Sequence, residues 1–149
     1  MLCIADDGRL GPATSVVSRS GPSLDRILQA RPHPHEVVLD ASNRFAYVPD
    51  LGLDKVLTYR YDVARGTLLP SRVSDYLTVS GAGPHHFVFY RDDKWDYVIN
   101  QLNSTITSFQ YDSKSGKVTA TGVKPTVPDF FKPRNDAAEL VIQASRSSW

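Results

Sequence analysis

Residues 35–66, HEVVLDASNRFAYVPDLGLDKVLTYRYDVARG, lie over residues 85–116, HHFVFYRDDKWDYVINQLNSTITSFQYDSKSG, at a constant offset of 50 with no gap. His35 meets His85, Phe45 meets Trp95, and Tyr47-Val48 meets Tyr97-Val98. Val56 meets Ile106, Tyr59 meets Phe109, Tyr61-Asp62 meets Tyr111-Asp112, and Gly66 meets Gly116. Agreement at aromatics, at a YD pair and at a turn glycine marks an internal repeat, and a period near fifty residues narrows the fold to repeat architectures.

Within each copy the hydrophobic period is two. RFAYVPD and KWDYVIN place bulky residues two apart, and KVLTYRYD and TITSFQYD alternate again with β-branched and aromatic side chains, the pattern of half-buried strands. VARG and SKSG are turns that reverse the chain at a glycine. A further β-prone stretch follows each turn, SRVSDYLTVS and KVTATGVKPTV. Four short strands per unit of this length match a propeller blade, so an all-β propeller is expected. Its divisions are the end of a blade at residues 1–20, blades at 33–80 and 83–128, and the start of a further blade at 136–149. The crossing segments are rich in Gly, Pro and Ser. DRILQAR, residues 25–31, reads as at most two helical turns stopped by Pro32.

The bulk composition fits one ordinary domain: 149 residues, 41% hydrophobic, 22% charged, net charge +1. That charge argues against nucleic acid or an anionic membrane as partner. A single cysteine, Cys3, excludes an intrachain disulfide and a cysteine-based zinc cluster. The first residues lack a signal-peptide pattern and no apolar run reaches membrane-spanning length, so a cytoplasmic chain is expected. Asn103-Ser104-Thr105 matches a glycosylation sequon only by pattern. No glycine-rich phosphate loop or GxSxG elbow is present, and no cofactor is expected.

The segments PHPHEVVLDASNRFAYVPDLGLDKVLTYRYD, GAGPHHFVFYRDDKWDYVINQLNSTITSFQYD and DFFKPRNDAAEL resemble the lactonase family of seven-bladed β-propellers. That family contains bacterial-type 6-phosphogluconolactonase and carboxy-cis,cis-muconate cyclase. The resemblance implies a partner that is a small lactone or a sugar bearing carboxylate or phosphate. It implies a site at one channel mouth, where successive first strands begin. His35, His85 and Ala138 hold that position in consecutive units.

Carried over from the family, the site is His33, His35, His85, His86 and Gln101, with no metal. Histidine or glutamate can move a proton and arginine can hold oxyanion or carboxylate charge. His85 stands where the family has arginine, and Gln101 stands where it has glutamate. Arg146 lies near a second family arginine without matching its surroundings. Asp50 and Asn100 are read as turn-stabilising residues, and Phe45, Tyr47, Tyr59, Trp95, Tyr97 and Phe109 as inter-blade core. Two full units where the family has seven lead us to expect a fragment or a truncated gene, self-associating through uncovered blade faces. The expected function is hydrolysis of a sugar lactone, weak in this chain alone. The alternatives are a muconate-cyclase-like lactone-forming enzyme and a non-catalytic binding module.

Overall fold

The computed structural model describes residues 1–90, 94–131 and 133–143. Among them there is no α-helix. Eleven strands form three antiparallel sheets. A hairpin of β1 (Leu2–Ile4) and β2 (Leu10–Ala13) comes first. The second sheet holds β3 (Val38–Leu39), β4 (Phe45–Asp50), β5 (Lys55–Asp62), β6 (Thr67–Pro70) and β7 (Tyr76–Leu77). The third holds β8 (Pro84–Phe89), β9 (Trp95–Asn100), β10 (Thr105–Asp112) and β11 (Lys117–Pro125). Successive strands pair in the order of the sequence, as in the blades of a propeller, except that β7 returns to pair with β5.

The repeat is visible in the backbone. Asp54 and Ser104, fifty residues apart, both adopt left-handed φ, at 54° and 53°. Gly66 and Gly116 do the same at 62° and 77° in the β5–β6 and β10–β11 turns. The two sheets stack through β4 and β8. Every residue of β4 is buried, because Phe45 and Tyr47 face the third sheet while Ala46 and Val48 face the opposite way. The inter-sheet core contains Phe45, Tyr47, Val56, Phe87, Val98, Phe109, Tyr111 and Val118. Tyr47 stacks on Phe87 with ring centroids 5.2 Å apart and planes 7° apart. The Tyr47 hydroxyl donates to the Gly116 carbonyl at 2.6 Å. The Tyr111 hydroxyl donates to Asp40 Oδ2 at 3.2 Å. Burial pushes the pKa of both phenols upward, so they stay protonated hydrogen-bond donors.

Four expectations are corrected. The fourth strand of the first unit is not one strand in SRVSDYLTVS. It is split into β6 and β7, and both pieces pair with β5. Pro70 has no N–H with which to extend the ladder, and Asp75 Oδ1 accepts the Thr58 N–H that an unbroken strand would have paired. β11 instead runs unbroken for nine residues, accommodating Thr121 as a bulge opposite Ser108 and Phe109. DRILQAR is a turn and not a helix, because Asp25 Oδ1 accepts from the N–H groups of Ile27 and Leu28 and closes the chain on itself. Residues 136–143 form no strand, having no ladder partner among the described residues. Trp95 remains 40% exposed. The ring of its counterpart Phe45 is covered by the Gly116 turn of the neighbouring sheet.

Candidate functional site

One end of the two stacked sheets is assembled from turns that lock onto each other. The segment HPHE enters β3 beside the turn after β4. His35 N–H donates to Pro49 O at 3.1 Å, and Leu51 N–H donates to His33 O at 3.0 Å. Asp50 accepts from the N–H of His33 at 2.8 Å and from that of Leu53 at 3.0 Å, capping the short 3-10 turn Leu51–Leu53. Asp54 then reaches the crossing into the next unit. Its two oxygens accept from Gly83 N–H at 2.8 Å and Gly81 N–H at 2.7 Å. Gly83 has φ +64°, and a Cβ there would stand 2.6 Å from the Leu102 side chain. The crossing that leads to His85 and His86 is therefore fixed by a carboxylate and by a glycine that no other residue can replace without strain.

These constraints bring His35, Glu36, His85, His86, Ala138 and Glu139 around one cavity of about 170 Å³. The His35 and His85 rings face each other with centroids 3.8 Å apart and a 31° tilt. His85 Nδ1 is buried without a hydrogen-bond partner. The pKa of His35 is lowered, chiefly by loss of water and then by the neighbouring His85 and His33, with Asp50 acting in the opposite direction. Although His35 is exposed at its rim, the contact with His85 leaves little room to hydrate a charged ring. His86 lies between two carboxylates. Its Nε2 is 2.8 Å from Glu36 Oε1 and its Nδ1 is 3.1 Å from Glu139 Oε1. The second Glu36 oxygen accepts from Phe87 N–H at 2.8 Å.

Two residues singled out in the sequence do not line this cavity. His33 is held by its main chain, and its Nε2 receives only a long contact of 3.5 Å from Arg31 Nε. The Gln101 side chain donates to Asp136 Oδ1 at 3.5 Å, and its backbone N–H donates to Gly83 O at 2.7 Å. Asp136 is already paired with Arg134 at 2.9 Å, which holds its carboxyl below the usual range. Arg146 lies outside the described residues. Asp50 does serve turn backbone. Asn100 instead donates to the hydroxyls of Thr105 and Thr107, at 2.9 and 3.0 Å.

Glu36 and Glu139 were missed in the sequence. The signal was present: they stand at the position of His86 in consecutive units, one residue after the His35–His85–Ala138 series. Of the cavities larger than this one, two of about 290 and 430 Å³ lie against the outer faces of the second and third sheets. They are lined mainly by side chains such as Val48, Leu57 and Leu68 in one, and Tyr97, Ile106 and Ile142 in the other. Neither is lined by a histidine or a glutamate. Among the described residues, no His, Cys, Asp or Glu group has the arrangement to hold a metal ion.

Stacked antiparallel sheets of five and four strands, with histidines gathered at one end, are the architecture of adjacent β-propeller blades. The family model for the Lactonase, 7-bladed beta-propeller, matches residues 1–147, and the chain belongs to that family. It is 32% identical over 109 residues to the 6-phosphogluconolactonase of Serratia proteamaculans, covering 73% of this chain and 33% of that protein. It is 26% identical over 139 residues to the 6-phosphogluconolactonase of Bacillus subtilis, covering 93% of this chain and 38% of that protein. The periplasmic gluconolactonase structure of Pseudomonas aeruginosa superposes with a TM-score of 0.83 at 26% identity, over 96% of this chain and 39% of that one. The chain thus spans about a third of the length of the curated relatives it matches. No helix among the described residues is long and apolar enough to cross a membrane.

Proposed function

We propose that the mouth formed by His35, Glu36, His85, His86 and Glu139 acts on a small sugar lactone, as part of a lactone-hydrolysing propeller. The observation that carries this reading is the His35–His85 pair, 3.8 Å apart. Loss of water and the neighbouring rings lower the pKa of His35, so its imidazole is neutral at pH 7 and available as a base. In the hydrolysis a water oxygen attacks the lactone carbonyl carbon and its proton passes to imidazole. The ring C–O bond then breaks, and the alkoxide formed takes that proton back, leaving an open-chain hydroxy acid. His85 in place of an arginine weakens the hold on oxyanion or carboxylate charge, because imidazole lacks the fixed charge and planar fork of guanidinium. Gln101 supplies no base.

Hydrolysis by this chain alone is therefore expected to be weak, with general acid–base catalysis worth about 100- to 10,000-fold where it is complete. The relatives' names, 6-phosphogluconolactonase and gluconolactonase, support the substrate class. The test is hydrolysis of 6-phosphogluconolactone by the wild-type chain and by His35→Ala, His85→Arg and Gln101→Glu. Measurable turnover that disappears in His35→Ala and rises in His85→Arg supports the reading. Turnover indifferent to His35→Ala refutes it. A second reading, a lactone-binding module without catalysis, is favoured by the amide at position 101, and it predicts saturable binding with no turnover in any variant.

A further inference from the structure

The mouth retains two carboxylates that the family comparison of single positions does not point to. Position 101 is an amide, and the acids at this end are Glu36 and Glu139, which meet on one imidazole. Glu36 grips the strand that carries His86 at two points. One oxygen accepts from Phe87 N–H at 2.8 Å and the other lies 2.8 Å from His86 Nε2. A carboxylate anchored to the next residue's backbone can face that ring nitrogen in only a narrow range of orientations. Nε2 must carry hydrogen to bond a carboxylate, and of the two carboxylates only Glu36 is anchored, so the neutral ring is favoured with its hydrogen on Nε2. Nδ1 is then the nitrogen with the lone pair, and it accepts from Leu140 N–H at 3.3 Å. Glu139 Oε1 stands 3.1 Å from the same Nδ1. Nδ1 cannot accept from Leu140 and donate to Glu139 at once, so the neutral ring accepts the Leu140 N–H and a protonated Nδ1 donates to Glu139 instead. The Glu139 side chain is 72% exposed, whereas those of His86 and Glu36 are 23% and 22% exposed. The line Glu36–His86–Glu139 thus runs from an anchored acid, through a shielded imidazole, to an acid in water.

We propose that Glu36 is the positioning residue that fixes His86 with hydrogen on Nε2, and that Glu139 shares the proton taken up at Nδ1 and passes it to solvent. This rests on the reading of the mouth as a lactone-hydrolysing site, and it moves the carboxylate function from position 101 to two rungs of the repeat. The proton that His35 takes from the attacking water passes across the shared cavity to His86 Nδ1 and through it to a Glu139 oxygen. The same path in reverse delivers a proton to the ring-opened alkoxide, so no proton is gained or lost over the cycle. His35 and His85 border the same cavity and Asp136 lies on the same C-terminal segment, so variants of Glu36 and Glu139 are compared with these groups intact.

Proton NMR of the 15N-histidine-labelled chain decides the positioning claim without reference to activity. The wild type is expected to show a downfield, slowly exchanging His86 Nε2–H. Glu139→Gln should keep that resonance, Glu36→Gln should move it upfield because the acceptor has lost its charge, and Glu36→Ala should abolish it. A wild-type His86 with bare Nε2, or a resonance unchanged in Glu36→Ala, overturns the proposal. Glu36→Gln preserves shape, so the answer stands even where Glu36→Ala fails to fold. In the hydrolysis assay Glu36→Ala is expected to lower kcat about 100-fold with KM little changed, and Glu36→Asp to recover part of the loss. A change in KM alone would assign Glu36 to substrate binding and contradict the positioning role. If wild type shows no hydrolysis, the functional reading fails while the resonance still decides the positioning claim.

Discussion

The two faces of the second sheet are built differently. The face toward the third sheet is aromatic and closely fitted. Tyr47 stacks on Phe87 and meets Phe89 edge-on at 5.5 Å, and Tyr76 meets Phe109 edge-on at 4.8 Å. The opposite face presents Ala46, Val48, Leu57 and Tyr59 to the N-terminal segment and leaves a cavity of about 290 Å³. There the cover is held by polar contacts. Thr14 donates to Gly66 O at 2.6 Å, Leu68 N–H donates to Ser15 Oγ at 3.2 Å, and Arg19 Nε donates to the Tyr59 hydroxyl at 2.8 Å. Where two units of the repeat meet, complementary side chains do the holding. Where the second sheet meets a hairpin and an irregular strand of chain, hydrogen bonds at the margin do.

The comparison ranks the expected effects. Phe87→Ala removes a fully buried ring from the inter-sheet core and should cost about 3–5 kcal/mol in a urea-unfolding measurement. A loss under 1 kcal/mol would show that the two sheets do not share one core. Gly116→Ala comes next. Its φ is +77° and a Cβ would stand 2.4 Å from the Phe45 ring, so strain and overpacking together should cost about 2 kcal/mol or more. Arg19→Ala should cost only about 0.5–1 kcal/mol, the worth of an exposed cation–π contact. If Arg19→Ala unfolds the chain as readily as Phe87→Ala, the contrast between the faces is wrong.

A smaller effect concerns pH. The folded-state pKa of His35 is lowered, so between that value and the ordinary one, about 6.5, the unfolded chain binds more protons. The stability tied to His35 is present above the ordinary value and is lost as pH falls through the folded value. The acid limb of any hydrolysis profile should accordingly lie below the ordinary histidine range. His85→Ala relieves both the crowding and the neighbouring charge, and should move that limb to higher pH. A limb that does not move would detach His35 from the profile.

Much of the fold was legible because strand periodicity and the fifty-residue repeat depend on local side-chain pattern. The αL pair Asp54 and Ser104 and the turn glycines 66 and 116 show the same repeat in backbone form. The split of the first outer strand was not legible, since it turns on a proline without an N–H and on a distant Asp75 carboxylate that replaces a ladder bond. The exposure of Trp95 was hidden for a related reason, because burial at a repeat position depends on the neighbouring unit. Of the mouth, His35, His85 and His86 could be placed together from their rung in the repeat. His33 and Gln101 are adjacent in sequence to that rung or its turn, yet their contacts are with Arg31 and Asp136. Glu36 and Glu139 were not legible because the identity of their rung changes from Glu to His to Glu between units and so shows no repeat.

The most direct test of the mouth as the functional site is to titrate 6-phosphogluconate, the product of the proposed hydrolysis, into the isotopically labelled chain and follow residue-resolved NMR shifts. The account predicts saturable shifts of the His35, His85 and His86 imidazoles and of the Glu36 and Glu139 carboxyl groups, with Leu57 and Tyr59 unmoved. Shifts confined to the cavity at Arg19, Leu57 and Tyr59, or no saturable shift at the histidines, would contradict it.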